Sequence, residues 1–312
     1  MAHSRTFRFG VQLAKATSSQ DWADQARRYE GLGFSTLFLP DHFGDQLAPL
    51  PAMMAAADAT TELKVGALVF DNDYKHPVVL AKEIATVDVL SGGRVEFGLG
   101  AGWLTSDYVQ SGMPKDRDGV RIDRMAEALD VFKGLWADGA FSYQGQHYTI
   151  AGLDGLPKPV QRPHPPILIG GGGPKVLGIA ARHADIIGVN PSIPKGHIDA
   201  DAARDAFADR MDQKIQWIRD AAPERFDDIE LNMLVFVAML TDDRAGSAER
   251  LAGLFGATPD EMLEVPSAWI GSETEIVEKL HAMRERWGVS YHVLPKDAAD
   301  AMAGVVAKLT GT

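Results

Sequence analysis

The residues best suited to chemistry lie where short apolar runs end. Leu39-Pro40-Asp41-His42-Phe43 puts a carboxylate and an imidazole directly after one such run. Histidine exchanges protons near neutral pH, so His42 is a candidate general acid–base group. A capping role for Asp41 and a packed, hydrogen-bonded His42 are the plainer alternative. Ile169-Gly170-Gly171-Gly172-Gly173-Pro174-Lys175 carries a run of glycines into a proline that can open a helix. Exposed N–H groups at a helix start favour anions, and glycine lets a phosphate come close. Gly171, Gly172 and Gly173 are therefore candidate phosphate contacts, against the alternative of a flexible connector. In Gly98-Leu99-Gly100-Ala101-Gly102-Trp103, Gly100 and Gly102 admit close approach to the backbone, against the alternative of a small-residue turn at a crowded rim, and Trp103 either covers a ligand or packs. Gln12 ends another apolar run and could orient a substrate carbonyl, although simple packing is the preferred reading.

Several chemistries are excluded or unsupported. The chain has no cysteine, which removes disulfides, thiolate nucleophiles, zinc–thiolate sites and iron–sulfur clusters. Its nine histidines show no H-x-H or H-E-x-x-H spacing, so no metal site is expected. No G-x-S-x-G elbow and no G-x-x-x-x-G-K-[ST] loop is present, and Trp103 stands where a G-x-G-x-x-G fingerprint needs its last glycine. With 31 Lys and Arg against 43 Asp and Glu, the formal net charge is −12. Nucleic acid and anionic membrane need a basic footprint and are not expected partners. No run approaches the ~18 apolar residues of a membrane span, and no signal-peptide pattern is read near Met1 to Gly10. A cytoplasmic protein with a small-molecule substrate is expected; the residues leave both monomer and homodimer open.

The elements that must position these residues alternate. Strands are expected at Phe7–Leu13, Ser35–Leu39, Leu63–Phe70, Arg94–Gly98, Ile167–Gly170, Asp185–Val189, Glu230–Leu240 and Ser290–Leu294. Helices are expected between them at Ser18–Gly31, Ala52–Thr61, Val78–Leu90, Arg121–Ala137, Pro174–His183, Ala202–Ala222, Ala245–Phe255, Pro259–Leu263 and Glu273–Trp287, with Ala298–Leu309 last. Strands alternating with helices imply a parallel sheet, and eight such units imply a (β/α)8 TIM barrel. A minimal barrel takes ~250 residues, leaving about 60 for insertions. A hairpin at Phe141–Ile150 and a Gly/Pro-rich loop at Ala151–Pro166 supply part of that excess, an insertion around residues 140–166. A single barrel domain over 1–312 is expected, with a doubly wound open sheet as the rival. In such a barrel, function sits at the carboxyl ends of the strands, where His42, Trp103 and the glycine turn fall.

The combination of these segments resembles the luciferase-like monooxygenase superfamily. The resemblance is carried by Pro40-Asp41-His42-Phe43, Val65-Gly66-Ala67-Leu68-Val69-Phe70, Tyr74-Lys75-His76-Pro77 and, most specifically, Ser91 to Trp103. Pro157 to Pro166 and the glycine turn continue it, and it covers residues 7–190 closely. Within the superfamily the chain is most similar to the branch that uses the deazaflavin coenzyme F420. The resemblance implies that the cofactor ring lies across the carboxyl ends of the strands with His42 beside its reactive face. It implies a non-prolyl cis peptide at Leu68–Val69 backing the ring, phosphate contacts at Gly171, Gly172 and Gly173, and further cofactor contacts at Asp41 and Ser106.

Two departures stand out. Trp103 occupies the place of a catalytic Glu in the sugar-phosphate dehydrogenases of that branch, and Gln46 the place of their aromatic cap. The resemblance therefore implies an F420-dependent hydride transfer to a different substrate, reducing an activated C=C, C=O or C=N bond in a more apolar site. The alternatives are a flavin mononucleotide (FMN)-dependent monooxygenase on the same fold, a cofactor-free sugar-phosphate lyase or isomerase barrel, and a non-catalytic ligand-binding relative.

Overall fold

The computed structural model describes residues 5–255 and 257–312. In chain order, β1 (Arg8–Gln12) leads through α1 (Ser19–Gly31) to β2 (Thr36–Leu39), and α2 (Pro49–Ala59) to β3 (Lys64–Ala67) and the short β4 (Phe70–Asp71). Next come α3 (Pro77–Ser91), β5 (Val95–Gly100), α4 (Thr105–Ser111), α5 (Asp118–Trp136), β6 (Ala140–Gln144) and β7 (Thr149–Asp154). The alternation resumes with β8 (Ile167–Gly171), α6 (Pro174–His183), β9 (Ile186–Val189), α7 (Ala200–Arg204), α8 (Ala208–Ala221) and β10 (Glu230–Leu234). The chain ends through β11 (Val237–Leu240), α9 (Arg244–Phe255), α10 (Pro259–Glu264), β12 (Ala268–Gly271), α11 (Glu273–Trp287), β13 (Val289–Pro295), α12 (Lys296–Ala299) and α13 (Ala303–Leu309). The main sheet runs β3-β2-β1-β13-β10-β9-β8-β5-β4, with β3 also paired to β5: the (β/α)8 barrel expected from the alternation. The antiparallel β6–β7 hairpin is the expected insertion. No helix among the described residues is long and apolar enough to cross a membrane.

The chain divides into two compact units. One, the hairpin unit, comprises Ala14–Arg28 and Thr36–Gly170; the other, the terminal unit, comprises Met1–Leu13, Tyr29–Ser35 and Gly171–Thr312.

In the hairpin unit, β2 is buried at every position and pairs in parallel with β3 (Leu37 opposite Val65), β3 with β5 (Val65 opposite Val95), and β5 with β8 (Phe97 opposite Ile167). Strands covered on both faces read as continuous apolar runs, which is why they were legible. Phe97 meets Phe132 and Trp136 of α5 edge-on at 4.8 and 5.3 Å. The start of α3 is set by Pro77 at its first turn and by His76, whose Nδ1 accepts from the Val78 N–H at 3.2 Å; Gly92, at φ +70°, ends it. The fully buried Asp88 of α3 accepts from the N–H groups of Val160 (2.7 Å) and Gln161 (3.0 Å) and from Gln161 Nε2 (2.7 Å). A buried charge is tolerated when its acceptors are filled, and here the filling fixes the loop after the hairpin.

In the terminal unit, β13 lies between β1 and β10, with His292 opposite both Phe9 and Met233. Arg8 pairs with Glu230 at 2.6 Å and lies 3.5 Å over the Tyr291 ring. Lys279 of α11 donates to the carbonyls of Leu263, Val265 and Ala268 at 2.6–2.8 Å and so fixes the approach to β12.

Several element boundaries depart from expectation. The third strand is interrupted at Leu68–Val69 rather than continuous. Glu230–Leu240 is two strands: the Phe236 and Val237 N–H groups both reach Ser267 O, at 2.9 and 3.1 Å, and β11 then pairs with the unanticipated β12. The helix expected at Ala202–Ala222 is α7 and α8, separated at residues 205–207, and the one expected at Ala298–Leu309 is α12 and α13. β7 extends to Asp154, into the stretch read as loop, and α4 was not anticipated.

Candidate active site

Pro40 follows β2, and the next two residues, Asp41 and His42, stand partly exposed beyond its carboxyl end. The segment after β3 is tied to that end by the Leu68 N–H, which donates to Leu39 O at 2.8 Å, and the Leu68–Val69 peptide is cis. His42 Nδ1 lies 2.6 Å from Oδ2 of Asp107, a buried residue of α4. The Tyr74 hydroxyl donates to the same oxygen at 2.9 Å. Trp103 meets the His42 ring edge-on at 5.6 Å, and half-exposed Phe43 lies against Tyr74 at 4.5 Å. Asp41 Oδ2 accepts from the Asp71 N–H at 3.1 Å. Burial raises the Asp41 carboxyl above its usual range, against the pull of that N–H and of the Lys75 and His42 charges.

Beneath this constellation lies a carboxylate–tyrosine network. The Tyr108 hydroxyl is 3.0 Å from both Asp71 Oδ2 and Asp73 Oδ2, and Asp73 pairs with Arg124 at 2.9 Å. Burial first, then the Asp73 and Asp41 charges, push the Asp71 carboxyl up to about 6, while the Asp73 N–H and Tyr108 oppose the shift. Burial also raises Tyr74 and Tyr108, which therefore remain protonated donors. Arg121 donates to the carbonyls of Ala101 (2.9 Å) and Gly102 (2.5 Å). The glycines here make room for the protein itself. A Cβ at Gly100 would sit 2.6 Å from Val69 Cγ2, and one at Gly102, where φ is +75°, would meet the Tyr108 hydroxyl and the Asp71 carboxylate.

The glycine turn belongs to the terminal unit. Gly171 O accepts from the Asn190 N–H at 2.9 Å, and a Cβ at Gly172 would press on the backbone of Asn190 to Ser192, 2.5 Å from Ser192 N. That backbone is fixed by buried Lys214, which donates to Asn190 O at 3.0 Å and pairs with Asp205 at 2.7 Å; Asp205 accepts the Ser192 N–H, also at 2.7 Å. Burial lowers the Lys214 pKa and Asp205 opposes the shift. Gly173, by contrast, faces open space: a Cβ there would find only Ser192 Oγ, at 3.8 Å. It precedes Pro174 at the start of α6 and makes no side-chain cap.

The luciferase-like monooxygenase family model matches residues 2–243, more than half of the chain. The chain belongs to the luciferase-like monooxygenase family. It is thereby one of a family of oxidoreductases. An uncharacterized Mycobacterium tuberculosis protein is 33% identical over 201 residues, 57% of this chain and 70% of that one. An F420-dependent glucose-6-phosphate dehydrogenase of Amycolatopsis mediterranei is 28% identical over 55% of this chain and 54% of its own length. An FMNH2-dependent dimethylsulfone monooxygenase of Pseudomonas putida is 34% identical over 41% of this chain and 35% of its own. The matched region thus spans about half or less of these two named enzymes. Among solved structures, the coenzyme F420-dependent tetrahydromethanopterin reductase of Methanopyrus kandleri superposes with a TM-score of 0.77 at 18% identity, over 97% of this chain and 99% of that one. At that identity the likeness concerns the fold.

Of the residues singled out from the sequence of this family member, Asp41, His42, Leu68, Val69, Gly100, Gly102, Trp103 and Ser106 fall in the hairpin unit, at or just beyond the ends of β2, β3 and β5. Ser106 is exposed on α4, one residue before Asp107. Gln12, the last residue of β1, and Gly171 to Gly173 fall in the terminal unit. Asp107 and the Asp71–Tyr108 pair were missed. Tyr74 stands in the Tyr74-Lys75-His76-Pro77 segment, whose sequence alone assigns it no role. The one available signal for Asp107 was its position a few residues past a strand end, because Leu104, which precedes α4, supplies no side-chain cap to mark the helix start.

Proposed function

We propose that the protein is a deazaflavin (F420)-dependent oxidoreductase that transfers a hydride between the cofactor and a small organic substrate, in the direction that reduces an activated C=C, C=O or C=N bond. The observation that carries the reading is His42 beyond the end of β2, held by a buried carboxylate and flanked by Trp103, with no partner on Nε2 among the described residues. The residues fit such a group in each unit taken by itself. Trp103, edge-on to His42 and partly exposed, offers an apolar face for a flat ring, and Gly173 leaves open space at the start of α6, where a phosphate can meet helix N–H groups.

When bound, F420 supplies a two-electron hydride that does not readily pass to oxygen. The chain's own residues hold distance and orientation and handle the proton. His42 holds or delivers a proton at the substrate atom beside the reacting carbon. Trp103 excludes water and gives the substrate an aromatic surface where related sugar-phosphate dehydrogenases carry a carboxylate. The bulky, uncharged ring argues for a substrate less polar than a sugar phosphate.

An FMN-dependent monooxygenase is the second reading, supported by the likeness to the dimethylsulfone enzyme. Oxygen uptake separates the two. With reduced F420 and cyclohex-2-en-1-one as a probe acceptor, turnover is expected to proceed equally under air and under nitrogen. Turnover that needs reduced FMN and consumes oxygen would refute the proposal.

A further inference from the structure

We infer that Asp107 and Tyr74 are positioning residues that hold His42 in the tautomer protonated on Nδ1, so that Nε2 is the atom that exchanges a proton with the substrate. The inference rests on the acid–base reading of His42 and adds to it the atom, and the pair of side chains, that make the reading work.

A carboxylate has only acceptors, so at 2.6 Å from Asp107 Oδ2 the Nδ1 atom must carry the hydrogen. Tyr74 completes the arrangement. Its hydroxyl remains protonated and donates to the same Oδ2 at 2.9 Å, so the oxygen that receives His42 is itself oriented. The Tyr74 ring is held in turn by Phe43, the residue after His42. Helix α4 is held from below, because Tyr108, next to Asp107, is bonded to Asp71 and Asp73.

A purely structural carboxylate at this place would serve its own helix. Asp107 lies in the first turn of α4, where an acidic side chain can cap free N–H groups. Its carboxylate instead receives a histidine and a tyrosine from two other segments, 65 and 33 residues away in sequence. The charged and titratable groups facing the pair are Asp41, beside His42, Lys75, which acts on Asp41, and Asp71, which acts on Tyr74. None of them is hydrogen-bonded to the imidazole. His42 is 28% exposed at its side chain and Asp107 6%, so the ring has one nitrogen turned into protein and one left for a ligand. A fixed tautomer matters because, in the reducing direction, the substrate takes its proton from Nε2–H of the charged ring, and with Nδ1–H held by Asp107 the ring left behind is neutral with Nε2 bare, ready for the next proton.

The tautomer can be read without substrate or cofactor. In long-range proton–nitrogen correlation spectra of histidine-labelled protein, the His42 signals are those lost in His42→Ala. Wild type is expected to show a protonated Nδ1 and a bare Nε2. In Asp107→Asn the amide can donate to Nδ1, and a shift of the proton to Nε2 is expected; Asp107→Glu should restore the wild-type pattern at least in part. A wild-type His42 protonated on Nε2 would overturn the inference with no variant needed, and so would an unchanged tautomer in Asp107→Asn.

Kinetics supply the second arm. With reduced F420 and cyclohex-2-en-1-one, Asp107→Asn is expected to lower kcat about 10–100-fold, the range seen when groups that orient a histidine are removed. The same change made on His42→Ala should have almost no further effect, since a positioning residue acts only through the group it positions. Additive losses would mean that Asp107 acts independently and would overturn the inference while leaving His42 as the acid–base group. Full turnover in His42→Ala would instead overturn the reading of His42 itself.

Discussion

Replacing His42 with alanine separates chemistry from binding at the scale of one residue. The side chain is partly exposed, and its one hydrogen bond among the described residues is to Asp107. Its removal is therefore expected to leave the fold intact and F420 affinity within a few-fold of wild type, while turnover falls by roughly 10²-fold or more, the scale of a positioned acid–base group. Equilibrium titration and steady-state kinetics on the same preparation check both halves, and near-full activity from pH 5 to 9 would make His42 packing. His42 could be found from the sequence because an apolar strand stopped by proline delivers it. Asp107 was not, because its partners come from distant segments and its place a few residues past a strand end is a weak mark by itself. Gly100 and Gly102 teach the converse. They read as openings for a ligand, yet their bare Cα atoms accommodate Val69, Tyr108 and Asp71, and glycine alone does not tell which body comes close.

At the scale of elements, the glycine turn offers two neighbouring substitutions with different outcomes. Gly172→Asp would drive a Cβ into the backbone of Asn190 to Ser192, so misfolding or a large loss of stability is expected. Gly173→Asp has space, adopts an extended backbone at φ −90°, and sets a carboxylate at the start of α6. It should leave the melting temperature nearly unchanged and weaken F420 by tenfold or more through charge repulsion with the phosphate. Unchanged affinity would reduce the turn to a connector. Removing the acceptor that fixes the 156–166 loop is a test of stability alone. Asp88→Ala removes the acceptor of the Val160 and Gln161 N–H groups, while Gln161 Nε2 keeps its bond to Val95 O, and should cost about 1–3 kcal/mol in urea unfolding. The elements that escaped sequence reasoning share a cause. Val65 to Phe70 and Met233 to Leu240 carry no polar side chain, and only tertiary pairing interrupts them: the bond from Leu68 to Leu39 in one, the switch to Ser267 and β12 in the other. The break at 205–207 likewise depends on Lys214, which binds the Asp205 carbonyl from α8.

At the scale of the whole molecule, acid stability turns on a residue remote in sequence from the proposed chemistry. His292 is fully buried among Phe7, Phe9 and Trp269, and neither ring nitrogen has a partner among the described residues. Burial pushes its pKa down from 6.5 to about 3. The unfolded chain therefore takes up a proton below pH 6.5 that the native chain refuses until about 3. Stability from this site is fully present above pH 6.5 and falls as pH drops through that window, at up to ~1.4 kcal/mol per pH unit. Urea midpoints measured between pH 7 and 4 should show the slope, and His292→Phe should flatten it; equal slopes would show that the ring is hydrated or paired. The barrel was legible as a whole because alternation of strand and helix is a global pattern, whereas the expectation of F420 came only through resemblance. That choice is also the central claim, and a parallel titration tests it most directly. Purified protein freed of bound cofactor is titrated with F420 and with FMN, followed by the fluorescence of each. The account predicts saturable binding of F420 at least tenfold tighter than that of FMN. Tight binding of FMN with no measurable affinity for F420 would contradict it.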